Sequence, residues 1–108
     1  MGSMCKDLKK LEDLFEETRE LFVAFGDRYR QDIVVALGKN KRLTVQELAQ
    51  TIGLSRPATS HHIKILKDAG MLGEHKEGVR HYYYPTLKQP LERLTTLVDT
   101  SRKLDQLQ

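Results

Sequence analysis

The stretch from Thr44 to Gly70, TVQELAQTIGLSRPATSHHIKILKDAG, constrains the fold more than any other part of the chain. Thr44 and Glu47 have the spacing of a capping box, which predicts that a helix begins after Thr44. Gly53 suits the position just past a helix end, where the backbone takes a positive φ. Ser55 is a second N-cap, so another helix is expected to follow it. Two short helices joined by a glycine-containing turn form a helix-turn-helix.

The second helix has two chemically different faces. Ile63, Leu66 and Ala69 recur at helical spacing and predict a buried stripe. No Asp or Glu occurs between Ser55 and Lys67, although the chain contains 15 acidic residues. Such a face can donate to base edges and phosphates in a DNA major groove, whereas the simpler interpretation is a solvated surface. The candidate residues on this face are Arg56, Ser60, His61 and Lys64.

Charge is distributed unevenly along the 108 residues, which have a net charge of +3. Residues 39–64 carry five Lys and Arg against one Glu, whereas residues 6–20 carry six acidic and four basic residues. One basic surface is the electrostatic requirement for binding phosphates. The length predicts a single domain over residues 4–108. Residues 1–3, Met-Gly-Ser before Met4, are interpreted as a cloning remnant.

Hydrophobic spacing predicts three further helices and a β-hairpin around the turn Glu77-Gly78. The predicted helices cover residues 8–25, 28–39 and 87–107, and the strands cover 71–76 and 79–84, with a short extended piece at 42–43. A hairpin that directly follows a helix-turn-helix is a wing. The fold class is therefore mainly α with a small β-hairpin, a winged helix-turn-helix in the order α-α-α-α-β-β-α. Lys76, Arg80 and His81 lie on the wing and can reach a minor groove or the DNA backbone.

The first and last helices lie outside the helix-turn-helix and the wing, and both carry apolar stripes. One interpretation is that they pack on the core of their own domain. We favour a dimer interface, because a two-fold pair places two recognition helices about 34 Å apart, one turn of DNA. The candidate interface residues are Leu8, Leu11, Leu14, Phe15, Leu91, Leu94 and Val98.

From Leu21 to Tyr83 the chain resembles the bacterial winged-helix repressors of the arsenic-repressor (ArsR) type. The residues that carry the resemblance are FGDRYR at 25–30, ELA at 47–49, GLS at 53–55, SHHIKILKDAG at 60–70 and EGVRHYY at 77–83. The resemblance implies a homodimer that binds an operator and represses until a signal releases it. It also implies base contacts from Arg56, Pro57, Ser60 and His61, and phosphate contacts from Ser55 and Lys64. Arg28 departs from the family, which usually has proline there.

The residues at the family's metal sites argue against a metal sensor of the usual kind. The family's Cys-x-Cys pair is replaced by Thr44 and Gln46, which are poor ligands for soft metals. The predicted last helix contains no histidine. His75 and His81 face each other if the hairpin loop has three residues, whereas a two-residue loop pairs His75 with Arg80. Since zinc takes four ligands, we predict no metal and no cofactor.

The single cysteine, Cys5, excludes a disulfide within one chain and predicts a reducing setting. No apolar run approaches the length of a membrane span, and no secretory signal is recognisable. We expect a cytoplasmic bacterial protein, nucleoid-associated when bound to double-stranded DNA. The alternative is a winged-helix module that binds protein or RNA without operator specificity. An enzyme is disfavoured because no phosphate loop, activated nucleophile or carboxylate pair is present. The sequence leaves the operator, the regulated genes, the inducer and a redox role of Cys5 open.

Overall fold

The fold is that of a computed structural model, which describes the backbone of residues 2–106 and the side chains of residues 5–106. It is mainly helical with a small antiparallel sheet, as predicted. The elements in chain order are α1 (Gly2–Phe25), α2 (Arg28–Asn40), β1 (Leu43–Thr44), α3 (Val45–Ile52), α4 (Arg56–Asp68), β2 (Leu72–Glu77), β3 (Arg80–Pro85) and α5 (Lys88–Gln106).

The core lies where α2, α3 and α4 pack together, with α1 and the sheet closing it. Large apolar side chains with almost no exposed surface meet there. They are Ile33 and Leu37 of α2, Leu48 of α3, Leu66 of α4, and Met71 just after α4. Burial of each such side chain contributes about 1.5–3 kcal/mol of transfer free energy. This burial fixes how α3 and α4 lie on α2, and therefore which side of α4 faces solvent.

Both helices of the predicted helix-turn-helix are confirmed, together with their caps. The Glu47 N–H donates to the Thr44 hydroxyl (3.2 Å), and the Thr44 N–H donates to a Glu47 carboxylate oxygen (3.0 Å). Gly53 has φ = 76°, a left-handed conformation that costs glycine no steric strain. The Ser55 hydroxyl accepts from the Ala58 N–H (3.2 Å) at the start of α4. Local signals in the sequence therefore determine both helix boundaries.

The three strands are ordered β1-β3-β2, and both pairings are antiparallel. The predicted hairpin and the short extended piece before α3 are both confirmed. The pairing of β1 with β3 was not predicted, since nothing local marks a partner 40 residues away. It places the wing beside the first turn of α3, because β1 runs directly into that helix.

The hairpin turn lies one residue later than predicted. Glu77 pairs with Arg80, so the two-residue loop is Gly78-Val79 and not Glu77-Gly78. Gly78 has φ = 61° and is followed by a residue with negative φ, which is the pattern of a turn with glycine at its first central position. The predicted loop would have placed Glu77 at that position, where a residue with a Cβ is disfavoured.

This register also corrects the pairing of the wing histidines. His75 pairs with Tyr82, and His81 pairs with Lys76. Neither predicted arrangement, His75 opposite His81 or His75 opposite Arg80, occurs. Because neighbouring residues of a strand point to opposite faces of the sheet, His75 and His81 lie on different faces.

The first helix is longer than the predicted range of 8–25, since α1 begins at Gly2. Residues 2–7 contain only two apolar residues, Met4 and Cys5, which are too few to define an apolar stripe, so the helix was predicted only from Leu8 onward. Asp7 Oδ1 of α1 lies 3.8 Å from Nζ of Lys103 on α5, and this ion pair joins the start of α1 to the end of α5. Met1 of the predicted remnant and Leu107 of the predicted last helix lie outside the described residues. None of the described helices is both long enough and apolar enough to cross a membrane.

A polar cluster joins the wing to α4. Glu74 of β2 accepts from Lys67 of α4 (2.6 Å), and its other carboxylate oxygen lies 2.6 Å from His81 Nδ1 on β3. Two hydrogen bonds lower the pKa of Glu74 from 4.5 to about 2, and the larger effect comes from Lys67 and the smaller from His81. His81 is thus directed toward Glu74, and the cluster fixes the wing relative to the recognition helix.

We expect the Glu74 cluster to make the free energy of unfolding decrease as the solution becomes acidic. A carboxyl whose pKa is lower in the folded than in the unfolded chain stabilises the fold above its unfolded pKa. The contribution is complete above about pH 5 and is lost as the pH falls from 4.5 toward 2. Because solvent partly screens the cluster, we expect about 1–2 kcal/mol. Urea unfolding between pH 2 and 7 should show a shallower decline for Glu74→Gln than for the wild type.

Glu12→Gln is the matched control, because Glu12 is an exposed glutamate on α1. It should retain the wild-type dependence of the unfolding free energy on pH. If Glu74→Gln and the wild type lose the same stability over this range, the cluster does not hold the wing.

Candidate nucleic-acid interface

The outward side of α4 is the most distinctive polar surface of the described chain. Thr59, Ile63 and Leu66 are buried on the opposite side of the helix. Because helix residues three and four apart share a face, their burial turns the remaining positions to solvent. The sequence-predicted residues exposed here are Ser55, Arg56, Pro57, Ser60, His61 and Lys64. We call Arg56, Ser60, His61 and Lys64 the recognition face.

Two of these predicted residues already have partners within the chain. The Ser55 hydroxyl oxygen accepts the capping hydrogen bond, but its own proton remains available to a phosphate. Lys64 Nζ lies 2.9 Å from Asp68, one helical turn further along. Both side chains of this pair are well exposed, and such surface pairs stabilise a protein by less than about 1 kcal/mol. The ammonium group of Lys64 can therefore exchange Asp68 for a phosphate at little cost.

A groove of about 520 Å³ continues from the recognition face toward the wing. It runs between the first turns of α3, the start of α4 and the tip of the hairpin. Its lining includes Arg56 and Arg80 and the exposed side chains of Gln46, Gln50 and Val79. The two glutamines were not among the interface residues predicted from the sequence. Their amide groups can donate to and accept from base edges, and their i, i+4 spacing on α3 was the available signal.

The wing presents Lys76 and Arg80 to solvent. Arg80 donates to the Tyr82 hydroxyl at 3.5 Å, and this hydrogen bond raises the pKa of Arg80. Arg42, just before β1, donates to Glu77 (2.7 Å) and lies 4.2 Å above the Tyr82 ring. The Arg42–Glu77 hydrogen bond raises the pKa of Arg42 and lowers that of Glu77. The guanidinium groups of Arg80 and Arg42 are both charged. Arg42 also holds the far end of the hairpin through its contacts with Glu77 and Tyr82.

The terminal helices present a second surface, which is apolar. α1 and α5 pack against each other, and each leaves large apolar side chains on the outside. Of the predicted interface residues, Leu8, Phe15, Leu91 and Val98 are between 43% and 49% exposed. Leu11 and Leu94 are half-buried. Leu14 is 7% exposed, so it already packs inside its own chain.

On the described parts of α1 and α5, five of the six exposed large apolar side chains follow a spacing of seven, and Val23, 56% exposed, falls outside it. Phe22, which was not among the interface residues predicted from the sequence, is 50% exposed and continues the line of Leu8 and Phe15. Leu91 and Val98 are also seven residues apart. Residues spaced by seven share one side of a helix, as in helix–helix seams. We call these five residues the outer stripe.

The described residues bring no three potential metal ligands among His, Cys, Asp and Glu together. Thr44, at one of the family's cysteine positions, uses its hydroxyl to cap α3. Gln46, at the other position, is exposed in the groove beside the wing.

Comparison with known proteins agrees with this geometry. Residues 27–73 match the family model of the bacterial regulatory proteins of the arsR family. A transcriptional regulator of the HTH type from Methanocaldococcus jannaschii is 34% identical over 85 residues, which cover 79% of this chain and 94% of that protein. The transcriptional repressor SdpR of Bacillus subtilis is 35% identical over 63 residues, covering 58% and 69% of the two chains.

The fold is also found among solved structures. The homodimeric winged helix-turn-helix DNA-binding domain of a possible ArsR-family regulator from Mycobacterium bovis has a TM-score of 0.66. It is 23% identical, and the similarity covers 85% of this chain and 83% of that one. The family consists of DNA-binding transcriptional regulators and not of enzymes. The chain belongs to the arsR family of bacterial regulatory proteins, and its winged helix-turn-helix is a DNA-binding domain.

Proposed function

We propose that the protein is a homodimeric repressor that binds an inverted-repeat operator in double-stranded DNA. The observation that carries this proposal is the recognition face of α4, which is exposed and free of acidic residues over its first three turns. The repressor role is supported by the similarity to SdpR, whose name describes it as a transcriptional repressor. A winged helix-turn-helix regulator represses most simply by occupying DNA that the transcription machinery needs.

The proposed contacts divide into base reading and backbone positioning. Arg56, Ser60 and His61 read base edges from the exposed side of α4, and Pro57 packs against the bases beside them. Guanidinium, hydroxyl and imidazole groups all suit major-groove donors and acceptors. The phosphate contacts are Ser55 and Lys64 at the helix and Lys76 and Arg80 at the wing. These contacts set the register without reading sequence.

The outer stripe supports the proposed homodimer. Five large apolar side chains, each about half exposed, line two neighbouring helices of one chain. Packing against a second copy removes this surface from water, which is the main driving force of protein association. A two-fold axis at the stripe presents two recognition faces to one side of a duplex, as an inverted repeat requires.

Substitutions on the recognition face should separate base reading from charge attraction. Arg56→Ala and Ser60→Ala should each reduce the preference for operator over random DNA by about 1–3 kcal/mol. Lys64→Ala should weaken binding to both duplexes equally and lower the slope of log K against log salt by about one. Fluorescence anisotropy titrations at several salt concentrations measure both quantities, with an operator obtained by selection from random-sequence duplexes.

Lys9→Ala is a matched control for Lys64→Ala, because Lys9 also pairs with an aspartate four residues later (3.2 Å) but lies on α1. It should leave affinity and salt slope unchanged. If wild-type protein binds random DNA as tightly as any selected duplex, the repressor proposal fails. The protein would then bind DNA without operator specificity, and protein or RNA would have to be tested as its specific partner.

A charge placed in the outer stripe should prevent dimerisation. Phe15→Glu and Val98→Glu each force an unpaired carboxylate into the proposed interface, which costs about 3 kcal/mol or more. The dimer should dissociate at more than 100-fold higher protein concentration, as measured by sedimentation equilibrium. Val35→Glu is the control, since Val35 is equally exposed but lies on α2 outside the stripe. A dimer with a dissociation constant of about 1 µM is almost fully formed at about 100 µM protein. If the wild-type protein is still monomeric at that concentration, the proposed dimer is excluded.

A further inference from the structure

His62 connects the recognition helix to α2 through a hydrogen bond whose direction is defined. Its Nδ1 atom lies 2.9 Å from Nη1 of Arg30. A guanidinium group only donates, so Nδ1 must be the acceptor and the ring proton must be on Nε2. The imidazole side chain is 15% exposed and lies on the side of α4 away from solvent. His62 therefore accepts a hydrogen bond inside the protein, whereas its neighbour His61 is exposed on the recognition face.

Arg30 also binds the end of α1. Its Nε donates to the carbonyl oxygen of Ala24 (2.9 Å), and its Nη2 donates to that of Val23 (2.9 Å). These carbonyls belong to the last turn of α1, where helix carbonyls lack partners within the helix. One planar side chain on α2 therefore joins the end of α1 to the middle of α4.

A carboxylate also lies near Nδ1 of the imidazole. Asp27 Oδ1 caps α2 by accepting from the N–H groups of Tyr29 (2.8 Å) and Arg30 (3.2 Å), and it is 3.8 Å from His62 Nδ1. Partial burial disfavours the charged form of Asp27, but the Arg30 N–H and the Arg30 charge outweigh it and lower the pKa. The Tyr29 and His61 rings complete the surroundings of His62, with centroids 5.9 and 5.8 Å away.

We propose that Arg30 is a positioning residue for DNA recognition, which acts through His62 Nδ1 to fix the recognition helix relative to α1. The proposal rests on operator binding as proposed above. In the homodimer α1 carries part of the interface, so Arg30 transmits the geometry of the two-fold axis to α4. The recognition face then stands at the angle and spacing that two half-sites require. Base contacts depend on that geometry more than phosphate contacts do, because they need defined donor–acceptor pairs.

Three variants of the full chain test the proposal. His62→Gln supplies a side-chain oxygen that accepts from Arg30. His62→Leu removes the acceptor, and Arg30→Lys keeps the charge but cannot reach three acceptors with one nitrogen. The readout is the ratio of affinities for the selected operator and for random duplex at pH 8.0. Thermal unfolding of each variant shows whether the fold persists.

We expect His62→Leu and Arg30→Lys to lower the ratio about tenfold, on the scale of losing one hydrogen bond to a charged group. Their affinity for random duplex should stay near wild type. His62→Gln should keep the wild-type ratio, because it keeps an acceptor for Arg30. His75→Gln is the control and should also keep the wild-type ratio, because His75 is an exposed histidine of the wing that does not contact Arg30.

A purely structural contact would lower the melting temperature of the variants and leave the ratio unchanged, which would overturn the proposal. The same conclusion follows if His62→Gln lowers the ratio as much as His62→Leu does, or if ¹⁵N NMR at pH 8.0 finds the His62 proton on Nδ1. A wild type that shows no operator preference at pH 8.0 is a different result, since it refutes operator binding itself and the positioning role with it.

Discussion

The burial of one side of α4 is the constraint on which the rest of the molecule depends. Leu66 and Ile63 are packed into the core, and Thr59 is buried one turn earlier. Successive residues of a helix are 100° apart, so fixing these three positions also fixes the direction of every other side chain on α4. The recognition face is exposed because the core uses the other side. Burial of the apolar side of α4 thus determines where the polar side points, although the polar side chains contribute nothing to the free energy of that burial.

The wing depends on the same core but is oriented by polar contacts. β1 places one edge of β3 beside the start of α3, and the Glu74 cluster joins β2 to Lys67 near the end of α4. Arg42 adds a third connection at Glu77, close to the hairpin tip. A two-stranded hairpin is only marginally stable by itself, so these connections give the wing a defined position. The groove between the wing and α3 exists because both sides of it are held.

The parts of the fold that were predicted correctly are those that local chemistry determines. Thr44, Gly53 and Ser55 each mark a helix boundary within three or four residues, and the apolar stripe of α4 follows from spacing alone. The start of α1 was missed because the two apolar residues before Leu8, Met4 and Cys5, are too few to define a stripe, and a helix can continue without one. The turn was misplaced by one residue because a Glu-Gly pair resembles a hairpin turn until the φ of its first residue is considered.

The parts that were missed depend on contacts between distant residues. The spacing of His62 with Leu66 shows that His62 does not lie on the exposed face of the helix. Its partner Arg30, however, is 32 residues away in the sequence, so no local pattern identifies it. The two apolar sides of α1 could not be separated either, because Leu14 and Phe15 look alike in a sequence. Only the packing of α5 buries Leu14 and leaves Phe15 outside. Pairing partners and the choice between two apolar faces require three-dimensional information.

α1 illustrates why one helix can link assembly to DNA reading. Its inner side, with Leu21 and Ala24, is part of the core of the DNA-binding domain, while its outer side carries the stripe of the proposed dimer. Its last carbonyls are bound by Arg30, which also binds the recognition helix. In the proposed dimer, a shift of α1 would therefore be transmitted to α4 by packing and by a directional hydrogen bond. Packed cores respond to such shifts by moving between discrete arrangements. A small displacement at the proposed interface would then be sufficient to change the spacing of the two recognition faces.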